Sequence, residues 1–149
     1  MWHMVLAHAR LIANALGGRK VLKTDVGSTQ ALMRTIESGL PYGSLDALTD
    51  RFGLTRVEVA TAARIPLRTL ARRKRERKLH ADESDRLVRL ARVAAEAARV
   101  LGDEREAGAW LRDDNIALGG ARPIDLVQTD LGARQVEDVI GRIEFGVYS

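Results

Sequence analysis

The chain has 149 residues, 46 % hydrophobic and 30 % charged, which suits one globular domain or two small modules sharing a core, and with no Cys it excludes disulfides, zinc–thiolate and iron–sulfur sites and a cysteine nucleophile. Only 4 % of residues are aromatic and 3 are Pro, so the apolar content is Ala, Leu, Val and Ile, a helical composition; no run approaches the ~20 apolar residues of a membrane span, and the opening residues lack the cationic and apolar regions of a signal peptide, which predicts a cytoplasmic protein. Net charge is +4, yet between Arg64 and Lys78 eight cations stand against the single Glu76, so one basic patch sits on an otherwise mildly acidic chain.

Gly and Pro cut the sequence into helix-length pieces without alternating apolar runs, and this predicts an all-α fold. A first helix is expected over His3 to Leu16, closed by Gly17-Gly18, followed by a connection over Lys20 to Val26. Ser28 can cap a helix to Glu37 with Leu32, Met33 and Ile36 on one face, and Ser44 can cap another to Phe52 with Leu45, Leu48 and Phe52 inward. Thr55 and Glu58 form a capping-box pattern opening a helix that ends near Ala63, and Pro66 suits the first turn of a helix from Leu67 to about Lys74. Asp82 or Ser84 begins a long helix that carries Leu87, Leu90, Ala91, Ala94, Ala98 and Leu101 to Gly102. A helix over Glu104 to Asp113 places Ala107, Trp110 and Leu111 on one face, a loop runs from Asn115 to Pro123, and Asp125 to Thr129 makes one or two turns. The last helix, about Ala133 to Glu144, aligns Val136, Val139, Ile140 and Ile143. The expected units are an N-terminal helical segment 1–43, a helix-turn-helix 44–80 and a C-terminal helical domain 81–149, with no linker between them.

The order from Leu45 to Lys78 is helix, Gly, a short helix of small residues (Val57, Val59, Ala60, Ala62 and Ala63), a turn at Arg64-Ile65-Pro66, and a basic helix. Small residues let the third helix cross the second closely, with Ile65 and Leu70 filling the shared core. Arg68, Arg72 and Arg75, spaced by four and three, share a face that can enter a major groove, with Thr69 and Arg73 beside it; Arg64, Lys74, Arg77 and Lys78 can reach phosphates. The same pattern also fits a structural or RNA-binding bundle, although no base-stacking aromatic lies in the region.

Gly53-Leu54-Thr55, Ile65 to Arg73, Leu79, Glu83 to Leu87, Trp110-Leu111, Asn115, Leu118-Gly119-Gly120, Pro123, Leu126, Gly132, Val136 and the run Arg142 to Ser149 resemble the Xre-type antitoxins paired with RES-domain toxins. The resemblance covers roughly Leu16 to Ser149 and takes in an Xre-like helix-turn-helix and an Xre/MbcA/ParS-like toxin-binding domain. It implies a non-enzymatic type II antitoxin, without a cofactor, whose partners are its operator DNA and an NAD-consuming or ADP-ribosylating toxin. The C-terminal region is expected to block the toxin's NAD site. Many relatives carry Gly in the turn between the second and third helices, where this chain has Arg64, at a cost of order 1 kcal/mol if that turn needs a positive φ.

The remaining motifs have plainer readings. His3, His8 and His80 lack ligand spacing, so no metal site is expected, and the carboxylates Glu83, Asp85, Asp113, Asp114, Glu137 and Asp138 are explained as first-turn or solvent-face residues, leaving no catalytic residues. Leu118 to Pro123 lacks the Lys-Ser/Thr of a phosphate loop and reads as a turn, and Trp110 reads as core. Trp2, Met4, Val5 and Leu6 give an apolar surface that suits a homodimer. Arg142, Glu144, Gly146, Val147, Tyr148 and Ser149 combine charge, a helix exit and an aromatic tip, and are the expected toxin-blocking segment. The competing reading from another class is a stand-alone helix-turn-helix regulator without a toxin.

Overall fold

Helix signals dominate the sequence, and the computed structural model, which describes residues 2–146 and the side chains of 8–146, is all-α. Its helices are α1 (Trp2–Ala15), α2 (Gly18–Leu22), α3 (Thr29–Ser38), α4 (Gly43–Phe52), α5 (Arg56–Ala62), α6 (Leu67–Glu76), α7 (Ala81–Leu101), α8 (Glu104–Arg112), α9 (Pro123–Leu126) and α10 (Asp130–Glu144), with a 3-10 turn at Ile116–Leu118. No described helix is long and apolar enough to cross a membrane.

Caps set most of the boundaries. Ser28 accepts from the Ala31 N–H, Asp103 from Glu106 and Thr129 from Gly132, and Thr55 with Glu58 completes a reciprocal capping box. Several boundaries differ from the sequence reading. Ser44 caps nothing: α4 begins at Gly43, and the Ser44 hydroxyl is buried without a hydrogen-bond partner. Ser84 is likewise internal to α7, where its buried hydroxyl accepts from the Leu40 N–H at 2.8 Å. The last helix starts a turn earlier than expected because Thr129 supplies its cap. Lys20 falls inside the short helix α2 instead of a connection.

The 21-residue α7 is the spine of the molecule. It packs against α1, α3, α4 and α5 on one side of the chain order and against α8 and α10 on the other. Leu87, Leu90, Ala91, Val93 and Ala94 are fully buried along it, within a single cluster of buried residues that runs from Ile12 to Ile140. Burial on this scale, at about 25 cal/mol per Å² of apolar area, is the main stabilising term. Trp110 packs partly against this cluster. Met33, grouped in the sequence with Leu32 and Ile36 on one face, and Val57, counted there among the closely packing small residues of the second helix, are instead more than half exposed.

Candidate functional site

The helix-turn-helix is built by close packing of small residues. Val59, Ala60, Ala62 and Ala63 are buried on α5, and Ile65 and Leu70 fill the space between α5 and α6. The turn closes through the Ile65 N–H to the Ala60 carbonyl at 2.8 Å, which requires Arg64 to take φ 56°, the left-handed conformation that glycine adopts without penalty. The side chain stays exposed.

The outward face of α6 carries Arg68, Arg72, Lys74 and Arg75, all exposed, with Thr69 half-buried at its edge; Arg77 and Lys78 follow the helix and are exposed as well. Arg77 also has positive φ (64°) and ends α6, after which Pro41 and Lys78 form a short antiparallel bridge, with the Leu79 N–H on the Leu40 carbonyl at 2.8 Å and the Tyr42 N–H on the Arg77 carbonyl at 3.1 Å. That bridge fixes the far end of the basic helix to the loop before α4.

Arg73 does not join this face. Its side chain is 8 % exposed and turned inward onto α7, where Nε donates to Glu83 Oε1 at 2.7 Å, Nη1 to Glu76 Oε1 at 3.0 Å and Nη2 to His80 Nδ1 at 3.1 Å. Glu83, 6 % exposed, accepts in addition from the His80 backbone N–H at 2.8 Å, so it caps α7 and holds α6 with the same carboxylate. Burial pushes the Glu83 carboxyl up, but the hydrogen bonds from Arg73 and His80 and the Arg73 charge outweigh it and hold its pKa below the usual glutamate value. The expectation that Arg73 reads DNA is therefore corrected: its guanidinium is buried against α7 and held there by three partners, away from the exposed face of α6 that a base would meet. Its spacing of three from Leu70 already placed it on the inner stripe.

A second set of charges docks α8 on the helix-turn-helix. Arg112 Nε donates to Glu58 Oε2 at 2.9 Å while Glu58 Oε1 accepts from the Thr55 N–H at 2.8 Å, so the capping-box glutamate of α5 also receives the end of α8. Arg51 pairs with Glu104 at 3.0 Å, and Arg105 donates to the Asp50 carbonyl at 3.0 Å. Gly108 lies against the Phe52 carbonyl so closely that any Cβ would overlap it. None of these contacts has a signal in the sequence beyond the capping box, because each joins residues more than 50 positions apart.

In the C-terminal half, Arg89 donates to the Val127 and Gln128 carbonyls, and Arg92 pairs with Glu137 through both carboxylate oxygens. Of the expected toxin-blocking residues, Arg142 is exposed and Glu144 pairs with Arg99 of α7 at 2.7 Å, a hydrogen bond that lowers the Glu144 pKa. Glu144 thus fastens the last turn of α10 to α7. Gly146 has φ 69° just past the helix and touches nothing on the side where a Cβ would project. Val147, Tyr148 and Ser149, and the side chains of Trp2, Met4, Val5 and Leu6 that suggest a dimer face, lie outside the described residues.

An all-helical chain in which one long helix joins a helix-turn-helix with an exposed basic third helix to a second helical domain defines a class of two-part regulatory proteins. Family comparison resolves the two parts. Residues 31–92 match the Antitoxin Xre-like helix-turn-helix domain, and residues 96–146 match the Antitoxin Xre/MbcA/ParS C-terminal toxin-binding domain. Antitoxin Xre of Yersinia enterocolitica is 32 % identical over 120 residues, covering 79 % of this chain and 81 % of that one. Antitoxin Xre of Pseudomonas putida is 38 % identical over 123 residues (82 % and 76 %), and that of Photorhabdus laumondii 32 % over 116 residues (76 % and 78 %). The chain belongs to the Xre antitoxin family.

Proposed function

We propose that this protein is the cytoplasmic antitoxin of a RES-domain toxin, which it neutralises by closing the toxin's NAD site with the segment after α10, and that as a homodimer it represses its own operon. The observation that carries the reading is the pairing, on one helix, of a helix-turn-helix and a toxin-binding domain. The exposed row Arg68, Arg72 and Arg75 on α6 supports groove entry, the exposure of Arg64, Lys74, Arg77 and Lys78 supports phosphate contacts, and Thr69 lies half-buried at the edge of this row. Arg142 and the helix exit at Gly146 support a segment that leaves α10 toward a partner.

Both halves have direct tests. Purified with a cognate RES-domain protein, the full chain should stop that protein consuming NAD. Removal of residues 146–149 should restore NAD consumption while the complex still forms. Full inhibition by the truncated chain would exclude the plug. On promoter DNA, an Arg68→Ala, Arg72→Ala variant should lose sequence preference, each good base contact being worth about 1–3 kcal/mol, and log affinity should fall steeply with log salt. Equal binding to promoter and random DNA by the intact chain would exclude operator recognition.

A further inference from the structure

Ile116 is 95 % exposed, more than any other large apolar side chain among the described residues. A single exposed aliphatic residue on a mobile loop would mean little. The backbone beneath this one is tightly organised. Asn115 is buried, its N–H donates to the Ala121 carbonyl at 3.1 Å, its own carbonyl accepts from Gly120 at 2.9 Å and Leu118 at 3.0 Å, and its side-chain Oδ1 accepts from Ala117 at 3.0 Å. Leu118 turns inward against the core while Ile116 turns out. Gly119 and Gly120 have φ 69° and 88°, and a Cβ on either would meet nothing within 4 Å. The surface next to Ile116 is therefore bare backbone that another molecule can approach closely.

Such a loop loses little ordering entropy on docking, which is the usual cost of binding through loops. Its shape and charge narrow the occupant. Nucleic acid is disfavoured, because the loop follows the exposed acids Asp113 and Asp114 and the basic face lies on α6. A second copy is disfavoured too: a two-fold contact sets the same patch against itself, and one protruding side chain on a closed loop is not complementary to its own copy. Two clefts among the described residues of the other half both have Ser38, Glu76 and Lys78 in their lining, so an aliphatic side chain of a second copy seated there would meet a carboxylate and an ammonium. Ile116 stands instead within the stretch matched to the toxin-binding domain.

We propose that Ile116 is an apolar anchor that seats in a concave apolar pocket on the toxin, a contact distinct from the segment after Gly146. It rests on the toxin-neutralising reading. The anchor supplies affinity and the tail supplies inhibition.

The test measures Kd by calorimetry between the full chain and a catalytically inactive form of a cognate RES-domain protein. Ile116→Asp should weaken binding about 30-fold or more, the size of an interface hot spot, and Ile116→Leu, which keeps the volume, far less. Thermal unfolding and promoter affinity should not move. Because the chain has no Cys, an Ile116→Cys variant can be alkylated at that position alone, and iodoacetamide should react with it more slowly once the toxin is bound. Unchanged affinity of the Asp variant, or unchanged alkylation in the complex, overturns the proposal. A loss of self-association with toxin affinity intact overturns it in favour of a second copy. If the intact chain does not bind the RES-domain protein at all, the toxin reading fails and the anchor with it, whereas normal binding by both the intact chain and the Asp variant rejects the anchor alone.

Discussion

Arg73 brings a guanidinium into a place where Glu83, Glu76 and His80 each present an acceptor, and its five N–H donors in a planar fork suit several at once. Removing it leaves the Glu83 carboxylate buried without its counter-charge, so Arg73→Ala should destabilise the fold by about 3–5 kcal/mol in urea denaturation. Lys, with a point charge and no fork, should restore only part of that. The Glu83 pKa is lowered in the native state, so on acidification the unfolded chain takes up this proton first. The stabilisation is complete above 4.5, the ordinary glutamate value, and is lost as pH falls through the lower native value. Denaturation from pH 7 to 3 should show that loss in the intact protein and a flatter profile in Glu83→Gln. Arg64 has the opposite balance. A non-glycine residue in the left-handed region costs roughly 1–2 kcal/mol and glycine returns roughly 0.5–1 of it through unfolded-chain entropy, so Arg64→Gly should raise stability by about 0.5–1 kcal/mol. The same variant should bind promoter DNA more weakly, and a fall in stability would mean that the Arg64 side chain holds the turn. The strain at Arg64 was legible only through the family resemblance, because many relatives carry Gly in that turn. The fate of Arg73 was half legible: its spacing from Leu70 pointed inward, but the pull of seven neighbouring cations suggested one basic face, and Glu83 lies in the next helix.

Local signals fixed most of the elements, since a Ser, Thr or Asp before an apolar repeat and a Gly after it act within one turn of the chain. Ser28, Thr55, Gly53 and Gly102 all fall at helix ends, each where the sequence places it. Ser44 misled because a hydroxyl at the head of a helix has the same signature whether it caps or is buried. How the elements dock was not legible, because docking depends on close approaches between distant positions. Gly108 is the sharpest case: α8 reads as an ordinary amphipathic helix with a tolerated glycine, yet its backbone rests on the Phe52 carbonyl at the end of α4. Gly108→Ala improves intrinsic helix propensity by about 1 kcal/mol, but here its methyl cannot be placed without separating α8 from α4. The expected result is a net destabilisation above about 2 kcal/mol, with the Arg112 to Glu58 and Arg51 to Glu104 pairs lost together. A neutral or stabilised Gly108→Ala protein in thermal melts would show that α8 has room to slide.

At the scale of the whole molecule, the sequence suggests modules at 44–80 and 81–149, and the family matches divide the chain between 92 and 96. Either division cuts at or inside α7, which is one unbroken helix from Ala81 to Leu101. The helices before it and the helices after it both rest on this spine, and the buried cluster passes through it without a gap. A cut before Ala81 would deprive the helix-turn-helix of the wall on which α3, α4 and α5 pack, and would strip Glu83 from Arg73 and Ser84 from Leu40. The other fragment would keep α7 with Leu87, Leu90 and Ala91 uncovered. Small domains that share one core unfold as one unit, so the full chain should show a single calorimetric transition with equal van't Hoff and calorimetric enthalpies. Fragments 1–80 and 81–149, made separately, should lack cooperative melting and recover helicity only when mixed. If 1–80 alone melts cooperatively and binds promoter DNA, the two functions reside in independent domains. A single transition would instead mean that a toxin bound to the C-terminal half and DNA bound to the helix-turn-helix act on one folding unit, and that each bound partner raises the melting temperature of the whole.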